Sequence, residues 1–348
     1  MTLITYVTRI HFADRILEDA LAEELARCRS SRPLIVAETD PVSEAVLDRL
    51  FDALPVAAEP VRFVPAASRL TGADLSAARR TLTETGCDAL IGFGGARPLD
   101  LARLLGAALG TPVIAVPTRT ESIGLGSLGV PFTGTSQAGS VPNAILCDAT
   151  LTLAADAPTT AAAGMVALVQ CLEAYLGTAW HPPADGIALE GLRRAARYLE
   201  PAVAEPGDLV ARRELLAAAL NAGLAAQKGL GGIEAGARAL EAEAAPDLRH
   251  GTCHAALLPE VLAFNAPAIT DRFAAIAGAM GLPAGSDPVA ALVDLARRVE
   301  LPARLANLGI EPAMLAPAAA GAAEDVANRT NPRHATAQDY HMMMLAAL

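Results

Sequence analysis

The sequence predicts two units of different class: a Rossmann-like α/β unit with a parallel sheet over residues 1–153, and an all-helical unit over 154–348. Three observations predict it. Short apolar runs alternate with helical patterns through the first part, which implies strand–helix–strand crossovers and a sheet covered on both faces. Past Asp148 that alternation stops and no convincing strand follows. Hydrophobic residues make up 53% and charged residues 19% of 348, enough for two cores. Aromatics contribute only 3% and alanine dominates, which suits helices packed closely through small side chains.

In chain order, the first unit reads as helix 14–29, strand 34–37, helix 42–53, strand 61–64, helix 73–85, strand 89–93, helix 98–109, and strands 113–116 and 144–147. Residues 150–158 read as a connector. Helices then follow at 160–177, 185–201, 207–227, 233–244, 253–264, 270–280, 288–298, 312–328 and 336–347, with Pro and Gly between them.

The net charge of −11 excludes a basic footprint for nucleic acid and a cationic face for anionic lipid. Lys228 is the sole lysine, which rules out most lysine-based covalent mechanisms. Five cysteines, widely spaced and with no C-x-x-C, read as reduced thiols of a cytoplasmic protein. The first residues lack a charged start and an apolar signal core. No uninterrupted apolar run of roughly 18 residues supports a membrane span.

The first chemical signal follows strand 89–93. Gly92-Phe93-Gly94-Gly95-Ala96-Arg97-Pro98-Leu99-Asp100 leads from strand to helix. Glycines there let backbone amides approach a pyrophosphate, and the helix N-terminus attracts its charge. Pro98 suits the first helical position. A plain strand-to-helix turn is the alternative. At the end of the first strand, Glu38 and Asp40 can accept hydrogen bonds from an adenosine ribose and would repel a 2′-phosphate, which favours NAD over NADP. The alternative there is a solvated loop acid.

Helix 160–177 carries Gly164-Met165-Val166-Ala167-Leu168-Val169-Gln170-Cys171-Leu172-Glu173-Ala174-Tyr175. This resembles the metal-binding helix of the iron-dependent alcohol dehydrogenase family, G-M-[D/N]-A-L-x-H-x-x-E-A-Y, with Val166 and Gln170 at the two ligand positions. Those positions lie four apart and share one helix face. The family's G-G-G-S-x-x-D loop matches at Gly94, Gly95 and Asp100, while Ala96 and Arg97 depart from it. Arg97 either contacts phosphate through its guanidinium or blocks the cofactor. A second family loop, P-T-T-x-x-x-G-S-E, matches at Pro117 and Thr118 and diverges from Arg119 through Gly124.

Residues 248–268, from Leu248-Arg249-His250-Gly251-Thr252-Cys253-His254 to Phe264-Asn265-Ala266-Pro267-Ala268, are similar to the maleylacetate reductase branch of that family. So are Asn331-Pro332-Arg333 with Thr336, and Arg9-Ile10-His11-Phe12. Val141-Pro142-Asn143 through Asp148 resembles the family's strand before its D-P-x-L turn. The resemblance is collinear over nearly the whole chain.

It implies a dinucleotide-binding domain, a helical domain, an active site in the cleft between them, hydride transfer between nicotinamide and an alcohol or carbonyl carbon, and a homodimer. The branch implies an unsaturated keto acid as substrate.

His250 matches a family metal ligand and His254 the branch's second histidine. Residues 232–236, Leu240 and Glu260 supply no further histidine. One surviving ligand with Glu234 falls short of three protein donors, so no iron or zinc is expected. His250 or His254 then acts as general acid, Gln170 orients a carbonyl, and Arg333 pairs with a substrate carboxylate. Packing, capping and pocket lining are the alternatives for each. Cys171 and Cys253 have nothing beside them that activates a thiolate. Glu173 and Tyr175 read as structural, and His11, His181, His334 and His341 as surface or packing residues.

The leading reading is a metal-independent NAD(H)-dependent reductase of a small carbonyl compound or keto acid, with no macromolecular partner beyond its own copy. The alternatives are a repurposed homologue that binds a partner, and non-redox chemistry in the same cleft.

Overall fold

In a computed structural model, residues 8–66, 70–120, 141–244 and 248–348 are described. The chain divides into one unit ending at Ala155 and a second running Asp156–Leu348.

The first unit holds a six-stranded sheet in the order β1-β6-β5-β4-β2-β3, every pair parallel. The strands are β1 (Arg9–Phe12), β2 (Pro33–Ala37), β3 (Val61–Phe63), β4 (Ala89–Gly94), β5 (Val113–Pro117) and β6 (Ala144–Cys147). The crossovers are α1 (Ile16–Arg27), α2 (Pro41–Asp52), α3 (Gly72–Thr85) and α4 (Ala96–Leu109). β2, β4, β5 and β6 are buried along their length, as strands covered on both faces must be. β1 was not among the predicted strands. It is a half-exposed edge strand whose Arg-Ile-His-Phe sequence lacks an apolar run. The chain moves outward from β2 to β3, then back across β2 to β4, so the direction of winding switches between β2 and β4. Ligands of open α/β sheets bind outside the strand ends at such a switch.

The second unit has no strand among its described residues. Its helices that matter here are α5 (Ala157–Leu176), α6 (Pro182–Ala204), α7 (Leu209–Ala226), α8 (Gly232–Glu243) and α9 (His250–Ile269). α5 is long and apolar enough to cross a membrane by length and composition, yet 89% of its apolar stretch is buried inside the unit. It is the core helix. A Cβ on Gly164 would lie 2.4 Å from Leu199 Cδ1 of α6 and 3.2 Å from Leu215 of α7, so this glycine sets the close packing of all three. α9 begins three residues before the predicted start, at His250, and runs on through Pro259 and Pro267.

Candidate functional site

The first unit gathers its candidate residues at the switch point. β4 ends at Gly94, with φ of 131°, a conformation that side chains rarely adopt. Gly95 caps α4, which starts at Ala96, so Pro98 is the third helical residue and not the first. The Gly95 amide does not face open space. It donates to Glu38 Oε1 at 2.7 Å, and a Cβ on Gly95 would lie 2.5 Å from that oxygen. Arg97 Nη2 lies 3.2 Å from Glu38 Oε2. Arg119 Nη2 lies 3.9 Å from Glu38 Oε1 and 2.5 Å from Asp40 Oδ1.

Asp40 also caps α2 through the amides of Val42 and Ser43. Against burial, Arg119 and Ser43 hold its carboxyl below the usual range. Thr118 donates its amide to Gly94 O at 3.0 Å, and its hydroxyl meets Ser43 Oγ at 3.1 Å. Gly94, Gly95, Ala96, Arg97, Thr118 and Glu38 are thus brought together, with the carboxylate of Glu38 on the amide where a phosphate was expected. Asp100 is wholly buried, and its Oδ1 accepts from Arg103 Nη2 at 3.0 Å within α4. The segment 121–124 of the second loop lies outside the described residues.

The second unit builds its centre around α5. Glu173, retained from the E-A-Y motif, accepts the amides of Gly231 at 3.0 Å, Ile233 at 2.6 Å and Glu234 at 3.1 Å. α8 has no side-chain cap of its own, so Glu173 satisfies its orphan donors from another helix. Asn331 Oδ1 accepts the fourth nearby amide, Gly232, at 2.9 Å. This fixes Glu234 in the first turn of α8. α9 is pressed on α5 at its start, where a Cβ on Gly251 would lie 1.9 Å from Ala162 O. His250 and His254, one turn apart, therefore face the same space as Glu234 and Gln170.

The geometry there is tight. Glu234 Oε2 lies 3.2 Å from His250 Nε2, 3.2 Å from His254 Nε2 and 3.2 Å from Gln170 Nε2. Glu234 Oε1 accepts from Arg238 Nε at 2.9 Å. His250 Nδ1 lies 2.8 Å from Glu241 Oε1. Glu234, His254 and Gln170 are wholly buried and His250 is 6% exposed. Burial opposes charge on His250, but the carboxylates of Glu241 and Glu234 push it up to about 10. Burial and the neighbouring His250 push His254 down to about 4. Against its own burial, Glu234 is held well below the usual carboxylate range by His250 and Arg238.

One ligand atom from each of Glu234, His250 and His254 lies within 4.8 Å of the others. Both ring nitrogens of His254 are buried without a well-formed hydrogen bond. Two imidazoles and a carboxylate, with the unbonded His254 Nε2 3.2 Å from Glu234 Oε2, fit a divalent transition-metal ion. Glu241 on His250 Nδ1 is the outer partner that orients a ligating imidazole. This corrects the premise for a metal-free centre: His254 joins His250 and Glu234, so three donors meet and not two. Val166 lies one turn before Gln170 on α5 and offers no donor.

Arg333 does not point to a ligand in this arrangement. Its guanidinium stacks 4.2 Å over the Phe264 ring and donates to the Phe264 carbonyl. Asn331 and Asn265 exchange paired amide hydrogen bonds at 2.9 Å, so the N-P-R and F-N-A-P segments lock to each other. His181 caps α6 by accepting the Ala184 amide, and His11 pairs with Glu24. Burial pushes the thiols of Cys171 and Cys253 up, the reverse of activation. Sequence reasoning missed Arg238 and Glu241. The four-residue spacing of Glu234 and Arg238 on α8 was a usable signal, but the Glu241–His250 pairing had none.

A switch-point glycine turn in a parallel sheet, followed by a helical unit with a buried imidazole–carboxylate centre, defines a two-part dehydrogenase-type architecture. The chain belongs to the iron-containing alcohol dehydrogenase family. The family's iron-containing alcohol dehydrogenase model matches residues 8–127, and its C-terminal model matches 160–348. The chain is 34% identical to 4-hydroxybutyrate dehydrogenase of Cupriavidus necator over 99% of each chain. It is 29% identical to maleylacetate reductase of Sphingobium indicum over 82% of this chain and 81% of that one. The structure of a 1,3-propanediol oxidoreductase matches the fold with a TM-score of 0.89, 24% identity and full coverage of both chains. Maleylacetate reductase from Agrobacterium tumefaciens matches with a TM-score of 0.82, 25% identity, and coverage of 100% of this chain and 99% of that one.

Proposed function

We propose that this chain is an NAD-linked oxidoreductase that interconverts a short hydroxy acid or alcohol with its carbonyl form. The observation that carries the reading is the convergence of Glu234, His250 and His254 in a family of oxidoreductases. The substrate class follows the relatives, whose names give 4-hydroxybutyrate and maleylacetate. The acidic pair Glu38 and Asp40 at the switch point favours NAD over a cofactor with a further phosphate. Five free cysteines suit a reducing, cytoplasmic setting, and a second copy of the chain is the one macromolecular partner in this reading.

A divalent metal held by Glu234, His250 and His254 supplies Lewis-acid polarisation of the substrate oxygen when bound. The chain's own side chains prepare that position. Gln170 donates to Glu234 Oε2 and fixes its rotamer, Glu241 orients the His250 ring, and burial excludes water from both. In the reductive direction the carbonyl carbon accepts hydride from the nicotinamide and its oxygen takes a proton.

A second reading is metal-independent, and one observation favours it. Arg238 already neutralises Glu234, and Glu241 with Glu234 keeps His250 protonated. There His250 gives the proton to the carbonyl oxygen, and Gln170 orients it.

The test is turnover of 4-hydroxybutyrate, short alcohols and keto acids with NAD(H), followed by nicotinamide absorbance, before and after chelation. Turnover that survives full metal removal selects the second reading. No NADH binding at millimolar cofactor, and no turnover, sinks both and points to a repurposed protein.

A further inference from the structure

Glu234 is claimed from both sides. Its Oε2 faces the two imidazoles, while its Oε1 is held by Arg238 at 2.9 Å. The other arm of Arg238 reaches Asp325 Oδ1 at 3.3 Å. Asp325 is anchored in turn, because it caps the 3₁₀ segment Val326–Thr330 through the Ala327 amide at 2.7 Å. The Arg238 side chain is 8% exposed, so bulk salt does little to screen its charge. A guanidinium in this position presents a fixed positive charge to the same carboxylate that completes the imidazole pair.

We infer that Arg238 is a resident cation that competes with a metal ion for Glu234, so that the Glu234–His250–His254 centre holds metal weakly and exchangeably. The inference rests on the reading of that centre given above. A carboxylate already neutralised by one cation attracts a second less strongly, and in a buried space of low dielectric the two cations also repel. Treating Arg238 as an ordinary outer partner gives the opposite sign, since removing such partners costs about 10–100-fold in metal affinity. The direction of the effect therefore decides the matter.

The experiment is a Co²⁺ titration of the chelator-treated full chain, read by visible absorption. The main variant is Arg238→Gln with Asp325→Asn, a neutral amide pair that keeps the hydrogen-bonding shape. Cobalt affinity is expected to rise by about tenfold or more over the unmodified chain, and adding Glu234→Gln should remove that gain. Unchanged or weaker binding in a variant with native circular dichroism overturns the inference. So does stoichiometric, chelator-resistant binding by the unmodified chain, or no cobalt binding by any variant.

Should the double variant fail to fold, Asp325→Asn alone tests the same point. It leaves Arg238 wholly to Glu234 and is expected to weaken cobalt binding severalfold, and tighter binding overturns the inference. NADH fluorescence titrated in the same samples separates the two levels. Loss of NADH binding in the unmodified chain defeats the oxidoreductase reading, whereas the order of cobalt affinities bears on Arg238 alone.

Discussion

At the switch point of the sheet, the glycine turn keeps its backbone form and fills its amide with the chain's own Glu38. In the helical unit, α5 lacks donors at Val166 and Gln170, yet Glu234, His250 and His254 still meet. The first site is built from peptide groups, and one of the chain's own carboxylates sits on it. The second is built from side chains that two different helices bring together. The difference teaches that a site made of backbone amides is altered by what is placed on it. A site made of side chains is altered by which helices supply them.

The strongest way to break this comparison is to remove the donor shared by both readings of the helical centre. His250→Ala should lower kcat/KM by about 100-fold or more, the scale of a lost acid–base group, with the fold intact by circular dichroism. A drop of less than about threefold would mean that the convergence is not the site of chemistry.

Gly251→Ala probes how the centre is assembled. The new Cβ would sit 1.9 Å from Ala162 O, a backbone atom that has no rotamer to escape into. A loss of about 3 kcal/mol in denaturant unfolding is expected, together with loss of metal or substrate response. An unchanged midpoint would show that α9 does not need this approach to α5.

Glu38→Gln sharpens the other half. The Gly95 amide then faces a neutral group, and Arg97 and Arg119 lose a competing carboxylate. NADH affinity is expected to tighten by about tenfold, or about 1.4 kcal/mol, by nicotinamide fluorescence. Weaker binding would place Glu38 on the cofactor as a ribose acceptor in preference to the phosphate seat.

A fourth measurement is stability against pH in the chelator-treated chain. His250 is raised to about 10 in the folded state by Glu241 and Glu234, above the ordinary value of 6.5. Its contribution is fully present below 6.5 and falls away as pH rises through about 10. Stability should decline over that window, and His250→Gln should flatten the decline. An imidazole seen by NMR to lose its proton near 6.5 would contradict the pairing.

Much of the architecture was legible because its signals are local. Strands buried on both faces appear as continuous apolar runs, and β2, β4, β5 and β6 were read from them. β1 was not, because an edge strand carrying Arg9 and His11 has no such run. The His250–His254 spacing announced a shared helix face. The start of α9 was placed late because Arg249, its cap residue, makes no side-chain cap bond to mark the boundary.

The sequence by itself determined the class of each unit, the glycine turn, the absence of ligands at Val166 and Gln170, and the histidine pair. All of these are matters of periodicity and residue type over a few turns. Only the tertiary structure decided that Glu234 joins those histidines, that Arg238 and Glu241 flank them, that Asp100 turns inward to Arg103, and that Glu38 lies on Gly95. Most of these pairings join residues on different elements, brought together by helices whose approach depends on Gly164 and Gly251 and on the Glu173 cap. Side-chain convergence is a property of packing, and a one-dimensional pattern holds no record of which faces will meet.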